Sequence, residues 1–489
     1  VTGAQGTGRL LVIGGGIGGY TAALRAAKAG LQVTLVEAGA LGGTCLNVGC
    51  IPTKSLLHQG RVYRQATGLA HFGVAPGMLR VNLGEVMRRK DAAVARLVGG
   101  VQMLVRRNRV TLVAGTAAFV NERRVRVQET GAVLDFDRCV IATGSEPVVP
   151  PIPGVTLEGV ITSDGAVALS ALPQRLAIVG GGVLGLEFAQ VFGDFGCRVT
   201  VIERMDRVLP EEDPDVGEAL RTSLAARGVR FALGAGVTRI ARTADGLAVH
   251  LDGPAQGPPV AADRVLLAVG RRPRVAALGL AAAGVRLERG AIVTDERCRT
   301  GVPGIYAVGD VRGGLLLAHK AAADGEAAVA DLLGQPPVRG AQLIPRAVYT
   351  SPAVASVGLT EAQARLAHPH LKVGRFPLSA NGKALADEDD EGFVKVMADG
   401  ATGQVVGIAM VGTGVTELLG EATLAVQMEL TLSALMQTVH AHPTLSEALV
   451  EAAHDAHDHG AIHLPPRTGT GPRDPGRNPA ASVTEAGTP

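Results

Sequence analysis

Two stretches decide the fold: RLLVIGGGIGGYTAALRAAKAGLQVTLVE at residues 9–37 and RLAIVGGGVLGLEFAQVFGDFGCRVTVIE at residues 175–203. At a constant offset of 166, Arg9/Arg175, Gly14/Gly180, Gly16/Gly182, Gly19/Gly185, Gly30/Gly196 and Glu37/Glu203 coincide. Each copy runs from an apolar strand through a glycine turn into a small-residue helix. It stops at a glycine and resumes as an apolar strand ending in an acid, so one βαβ unit is made twice. The first glycine permits the turn, the second lets backbone N–H groups approach a pyrophosphate, and the third lets helix and strand pack closely. The terminal carboxylate can accept both hydroxyls of a ribose.

Two dinucleotide sites in one chain imply electron transfer between two cofactors. At the second site Glu203 repels a 2′-phosphate and Gly185 is the third glycine typical of NAD binding, so NAD is expected over NADP. Arg204 and Arg207 beside it are read as surface charges.

Working outward, later strand-like runs end in glycine at VIATG (140–144) and LLAVG (266–270). A third, IYAVGD (305–310), precedes the helix-like AHKAAADGEAAVADLL. Pro147–Pro153 marks an exit from the first unit, and the stretch near 335–345 reads as a linker. Beyond it VYTSPAVASVGL, FVKVMA and QVVGIAMVG alternate as strands and give way to helices, an α+β module. After Pro465 the composition predicts a disordered tail. The fold class is α/β: two Rossmann-like dinucleotide-binding domains plus a C-terminal α+β module.

The 489 residues are enough for several cores, with 47% hydrophobic and 19% charged residues. A net charge of +2 argues against nucleic acid as a partner. No apolar run approaches the roughly 20 residues that span a bilayer. The first residues lack a signal-peptide layout, and five cysteines are too few for a secreted disulfide scaffold. A soluble cytoplasmic protein is expected.

The sharpest chemical signal is GGTCLNVGCIPTK at residues 42–54, with Cys45 and Cys50 five positions apart. In an ideal helix their Cα atoms sit roughly 8.5 Å apart, beyond the roughly 7 Å that a disulfide spans. A bridge therefore needs a distorted first turn, which the flanking glycines allow. In a reducing cytosol so small a loop suggests a cycling redox pair; the alternative is two buried thiols. Cys139, Cys197 and Cys298 read as ordinary small residues. The second signal is HAHPTLSEAL, starting at His440. Pro443 keeps His442 out of the helical region, so its ring projects from a helix start. Thr444 and Glu447 form a capping-box pattern. Glu447 either caps that helix or bonds one imidazole nitrogen, leaving the other to take a thiol proton.

GGTCLNVGCIPTK, AVGD at 307–310, LAHKA at 317–321 and HAHPTLSEA together resemble the pyridine nucleotide-disulfide oxidoreductases. Within them the match is nearest to the branch that reoxidises protein-bound dihydrolipoamide, collinear over about residues 9 to 465. The resemblance implies FAD in the first βαβ unit, with Gly14, Gly16, Gly19 and Glu37 holding it. Thr143, Gly144 and Ser145 lie along its path, Ala117 near the adenine, Asp310 on the ribityl–pyrophosphate region and Ala318 at the isoalloxazine end. NAD falls to Gly180, Gly182, Gly185, Glu203, Val237 and Gly270. Lys54 is expected near the flavin, paired with Glu187. Cys50 is the sulfur nearest the flavin and Cys45 the one exchanging with substrate. His442, oriented by Glu447, is the general base supplied by the opposite subunit of a homodimer, with His442–Pro443 cis.

The implied division is 1–150 for the first part of the FAD domain, 151–275 for the NAD domain and 276–345 for a central domain completing the FAD site. Residues 346–465 form the dimerisation domain and 466–489 the tail. The implied partners are lipoyl domains and the subunit-binding domain of a 2-oxo acid dehydrogenase acyltransferase, with no nucleic acid and no membrane. The alternative, an NADPH-dependent reductase of a small disulfide such as glutathione, has Ala for the third NAD-site glycine and Arg for Glu203. A mercuric-ion reductase needs a C-terminal cysteine pair, and no Cys follows Cys298. Two departures stand out: Ala353 occupies a position usually held by Glu, which touches an interface or substrate-channel contact. HDAHDH at 454–459 reads as a polar surface turn, with no metal expected.

Overall fold

The computed structural model describes residues 8–465 apart from 76, 256, 337–342 and 458–459. The expected tail at 466–489 and much of the expected linker lie outside the described residues. In the first repeat, β1 (Arg9–Ile13) leads into α1 (Ile17–Lys28) and β2 (Gln32–Glu37). β1 pairs in parallel with β2 on one side and with the strand Arg138–Ile141 on the other. Thr111–Ala114 extends the sheet beyond β2, and Ile305–Ala307 closes it beyond Arg138–Ile141. The order is thus Ile305–Ala307, Arg138–Ile141, β1, β2, Thr111–Ala114, and every pairing is parallel. These are the continuous apolar runs of strands covered on both faces.

The second repeat builds the same sheet. Arg175–Val179 lies between Arg198–Ile202 and Arg264–Leu267, flanked by Arg230–Ala232 and Val160–Thr162. Arg175 faces Arg198 as Arg9 faces Gln32, so both copies share one register. Each sheet also carries a three-stranded antiparallel meander, residues 117–135 before the strand Arg138–Ile141 in the first copy and 237–262 before Arg264–Leu267 in the second. The whole second sheet is inserted between the fourth and fifth strands of the first. That is why the IYAVGD run follows both repeats in sequence yet completes the first.

The helix Ala318–Leu332 packs across α1 where both backbones are bare: a Cβ on Gly325 would meet the Gly18 carbonyl at 2.6 Å. The C-terminal module is a five-stranded antiparallel sheet, ordered Arg346–Val348, Ala353–Gly358, Val405–Gly412, Phe393–Asp399, Leu371–Pro377. The run read as a single strand, VYTSPAVASVGL, is two strands broken at residues 349–352. Pro352 has no N–H to give a ladder, and the Ser351–Pro352 peptide is cis, as is His442–Pro443. Ala353 opens the second of these strands, buried within the module and opposite Gly412. Among the described residues no helix is long and apolar enough to cross a membrane.

One apolar cluster fixes the three parts against each other. It joins Leu56 and Leu57 of the helix after Cys50, Phe188 and Phe192 of the second repeat, and Val354, Phe393 and Val411 of the C-terminal sheet. Each such side chain contributes about 1.5–3 kcal/mol by burial. The last helix, Glu447–Ala456, rests on the sheet at Gly374, where an added Cβ would meet Ala452 O at 2.0 Å and Ala456 N at 2.2 Å. Asp455 accepts the Arg375 N–H at 2.8 Å beside it. Gly374→Ala is therefore expected to lower stability by about 1–3 kcal/mol through overpacking, read as a reduced midpoint in urea unfolding. An unchanged midpoint means the helix seats elsewhere.

Candidate active site

The sequence between the cysteines breaks a helix in two. α2 (Gly43–Asn47) starts after Gly42, whose φ of 94° suits glycine, and α3 (Cys50–Thr67) starts after Gly49. Val48 N–H closes on Thr44 O and Thr53 N–H on Gly49 O, so the ladder is interrupted between them. The distortion required of an i, i+5 pair is thus a full helix break. Cys45 and Cys50 are free, half-buried thiols, close enough to shift each other's pKa. The neighbouring Cys50 and burial push the Cys45 pKa well up. Cys50 is lowered to about 7, chiefly by the neighbouring Cys45 thiol and further by the Lys54 charge, while burial and Glu187 oppose.

Lys54 stands one turn beyond Cys50 on α3. Its Nζ donates to Glu187 Oε1 at 2.9 Å and Oε2 at 2.8 Å, the expected pairing. Glu187 lies on the helix Val183–Asp194 and is 1% exposed. Burial depresses the lysine, yet the charge and hydrogen bonds of Glu187 outweigh it and hold the ammonium above its ordinary pKa. The Tyr349 ring covers Nζ at 4.7 Å from its centroid, and Tyr349 N–H donates to Glu187 Oε1 at 3.0 Å. Reading the sequence missed Tyr349, because only position 353 of that segment was weighed.

Both glycine turns have the geometry the repeat implied. A Cβ on Gly14 would meet Ala142 O at 2.3 Å, and one on Gly180 would meet Ala268 O at the same distance. On Gly19 and Gly185 it would strike the carbonyls of Gly14 and Gly180 at 1.8 and 2.0 Å. The third glycine thus clears its own turn's first carbonyl, in addition to packing helix on strand. Glu37 accepts the N–H groups of Gly15 and Gly39, and Glu203 those of Gly181 and Met205, at 2.6 and 2.8 Å in the second copy. Gly16 and Gly182 cap the two helices with no side chain over the first turn, and a Cβ on Gly182 has nothing within 4 Å. The bare helix starts, the backbone-held carboxylates and a cleft lined by Glu37, Gly39, Leu41 and Ala114 fit a dinucleotide. Arg204 is exposed as expected, but Arg207 is half-buried and donates to Pro210 O at 3.2 Å, so it is no free surface charge.

The other expected contacts fall as follows. Ala117 is buried at the start of the strand Ala117–Asn121. Gly144 has φ 71°, and Thr143 donates to Arg274 O at 2.7 Å. Ser145 donates to Asp310 Oδ2 at 2.5 Å and accepts from Arg271 Nε at 2.8 Å. Ala318 opens its helix half-buried. Val237 packs on the second sheet's core, while Gly270, with φ 115°, leaves open space. Arg271 was not foreseen; its signal was the RRPR run after LLAVG. Burial lowers its pKa against the pull of Asp164 and Asp310. Cys139, Cys197 and Cys298 are buried free thiols; Cys298 sits at φ 65° and takes a hydrogen bond from Arg312 at 3.0 Å.

His442 Nδ1 meets Glu447 Oε1 at 2.9 Å, and Glu447 Oε2 accepts the Thr444 N–H at 2.7 Å. Glu447 therefore bonds the imidazole nitrogen, and its other oxygen closes a turn at Thr444 rather than capping the helix. The helix itself starts later than the capping pattern predicted, at Glu447 with Ser446 as its cap, because a turn intervenes. Burial pushes the Glu447 carboxyl up, but the Thr444 N–H and His442 hold it below its usual range. The His442 side chain is 78% exposed. Among the described residues, no hydrogen bond or ion pair joins it to the thiols. His454 lies on the last helix and His457 caps it; residues 458–459 lie outside the described residues.

The chain is 43% identical over 462 residues to a dihydrolipoyl dehydrogenase of Thermus scotoductus, covering 93% of this chain and 98% of that one. It is 40% identical over 458 residues to dihydrolipoyl dehydrogenase 3 of Pseudomonas aeruginosa, covering 92% and 97%. Among solved structures it resembles the HOCl-induced flavoprotein disulfide reductase RclA of Escherichia coli, with TM-score 0.82 and 32% identity over 91% of this chain and 99% of that one. Residues 8–325 match the family model for pyridine nucleotide-disulphide oxidoreductases and residues 344–453 its dimerisation domain. The chain belongs to the pyridine nucleotide-disulphide oxidoreductases.

Proposed function

We propose that this chain is a dihydrolipoyl dehydrogenase, reoxidising the dihydrolipoyl arm of a 2-oxo acid dehydrogenase or glycine cleavage complex with NAD⁺. The observation that carries this reading is the pair of free thiols on either side of the helix break at Gly49, one turn from the Lys54–Glu187 ion pair. FAD held by the first glycine turn and Glu37, and NAD by the second turn and Glu203, would supply the two-electron and hydride chemistry that carries the reducing equivalents of the dithiol away. We assign the cofactor contacts and the division into domains as the family resemblance implies.

The residues then divide the work. In the oxidised enzyme Cys45 and Cys50 are bonded. His442 of a second copy, its Nδ1 committed to Glu447, offers Nε2 to the proton of the first substrate thiol. The thiolate attacks Cys45 Sγ, the Cys45–Cys50 bond breaks, and Cys50 leaves as a thiolate facing Lys54. The second substrate thiol gives up its proton and attacks the substrate sulfur joined to Cys45, closing the lipoyl disulfide. Of the two protons released, one stays on Cys45 and the other on the imidazole, which balances the Cys50 thiolate. The exposure of His442 suits a base that serves the opposite subunit, and His442 and Glu447 both lie within the matched dimerisation domain. Lipoyl domains and a subunit-binding domain are the proposed partners, and the cytoplasm the proposed location.

Cys45→Ser is expected to keep FAD and lose lipoamide turnover by at least about a thousandfold; retained turnover sinks the reading. In the two-electron-reduced protein, the long-wavelength thiolate-to-flavin absorbance should grow with a midpoint near pH 7, since Cys50 is lowered to about 7 and is a thiolate above it. Loss of that absorbance as pH rises would reverse the assignment. The Glu203 carboxylate, fixed by two N–H groups, opposes a 2′-phosphate, and Ala at 185 has no room. NADH is therefore expected to outperform NADPH in kcat/KM by about a hundredfold, as a like-charge contact of several kcal/mol implies. Preference for NADPH would favour the small-disulfide reductase.

A further inference from the structure

We propose that Tyr349 is a positioning residue of the redox site, its ring seating the Lys54 ammonium and its backbone N–H fixing the Glu187 carboxylate that Lys54 grips. This rests on the reading of Cys50 as the thiolate facing the flavin, and adds a residue to it. The geometry is two-sided. Glu187 spends Oε1 and Oε2 on Nζ at 2.9 and 2.8 Å, and Oε1 also receives the Tyr349 N–H at 3.0 Å. The Tyr349 ring lies 4.7 Å from Nζ, inside the range of a cation–π contact. Glu187 therefore holds the ammonium by charge, and the ring covers a side that water would otherwise take, for Lys54 keeps a 32% exposed side chain.

The turn that carries Tyr349 is itself pinned to the same two helices. Ser351 N–H donates to Gln190 Oε1 at 2.7 Å, one turn beyond Glu187, and Ser351 Oγ accepts from Arg64 of α3 at 3.1 Å. The ring is thus held by the C-terminal module and aimed at a lysine of the first unit. The charged and titratable groups facing Cys50 are Cys45 from α2, Lys54 from α3, Glu187 from the second unit and Arg271 from the strand Arg271–Pro273. Lys54 is the cation that lies within this set against an aromatic face. Replacing the ring by an aliphatic side chain admits water, which screens the ammonium and lets it swing from Cys50, so the thiolate loses support.

The test is a pH titration of the thiolate-to-flavin absorbance in the two-electron-reduced holoenzyme, with FAD content and melting temperature recorded for each variant. Tyr349→Leu should raise the midpoint by roughly half to one pH unit, the change expected when a charge a few ångströms away is partly screened. Tyr349→Phe keeps the π face and should titrate with the wild type. Pentafluorophenylalanine at 349 keeps the shape and reverses the ring quadrupole; it should shift upward as Leu does, which covers a Leu variant that folds poorly. A Leu or fluorinated variant with the wild-type midpoint overturns the assignment, as does a Phe variant shifted as far as Leu. A wild type with no thiolate absorbance at any pH overturns the functional reading beneath it.

Discussion

A buried carboxylate must be paired, and the site is organised around one that is. Glu187 is 1% exposed and has Lys54 on both oxygens. Removing one partner of such a pair leaves an uncompensated charge and costs on the order of 3 kcal/mol or more. The pair therefore constrains geometry. It fixes α3, which carries Cys50, against the helix of the second dinucleotide unit, and through Tyr349 N–H it fixes both to the C-terminal module. The apolar cluster around Leu56, Phe188 and Val354 supplies the bulk of the adhesion at the same junction. Apolar packing is non-directional; the ion pair sets the register within it.

The two dinucleotide units show how little sequence is needed to specify a cradle. In both, the acid that ends the second strand is held by two backbone N–H groups, one from the glycine turn and one from two residues beyond itself. The carboxylate is therefore oriented by the chain alone. The glycines act by what they lack: at positions 14, 19, 180 and 185 a Cβ would lie within 2.3 Å of a carbonyl oxygen. A helix start with no capping side chain is left over as a consequence, and it is the surplus of backbone donors there that suits a pyrophosphate.

Much of this was legible because it is local. Period, offset and glycine spacing marked both βαβ units, and the AVGD run marked the strand that returns to the first sheet. The short cysteine loop announced a helix break, which Gly49 and the interrupted ladder provide. What escaped was long-range or conformational. Tyr349 acts on residues 162 and 295 positions away, and no pattern around YTSP encodes that. Arg271 is tied to Ser145 because two short strands cross between the units. The start of the last helix was misplaced since the Thr444–Glu447 spacing fits both a cap and a turn. Arg207 was read as a surface charge because its carbonyl partner at Pro210 is a backbone group, invisible to charge counting.

The electrostatics at Cys50 explain why the lysine comes with its carboxylate. A lone buried ammonium beside the thiol would stabilise the thiolate strongly, but burial would depress the ammonium itself, and a neutral lysine stabilises nothing. Glu187 keeps Lys54 charged while raising the Cys50 thiol slightly, so the two effects partly cancel at the sulfur. The compromise leaves Cys50 near neutrality. That suits the sulfur that departs when Cys45 is attacked, because a thiol of lower pKa leaves faster in exchange. Cys45, whose pKa the neighbouring Cys50 and burial push upward, is the weaker acid of the two. The asymmetry between two chemically identical groups thus arises first from their interaction with each other and then from Lys54, which stands a single helical turn from Cys50.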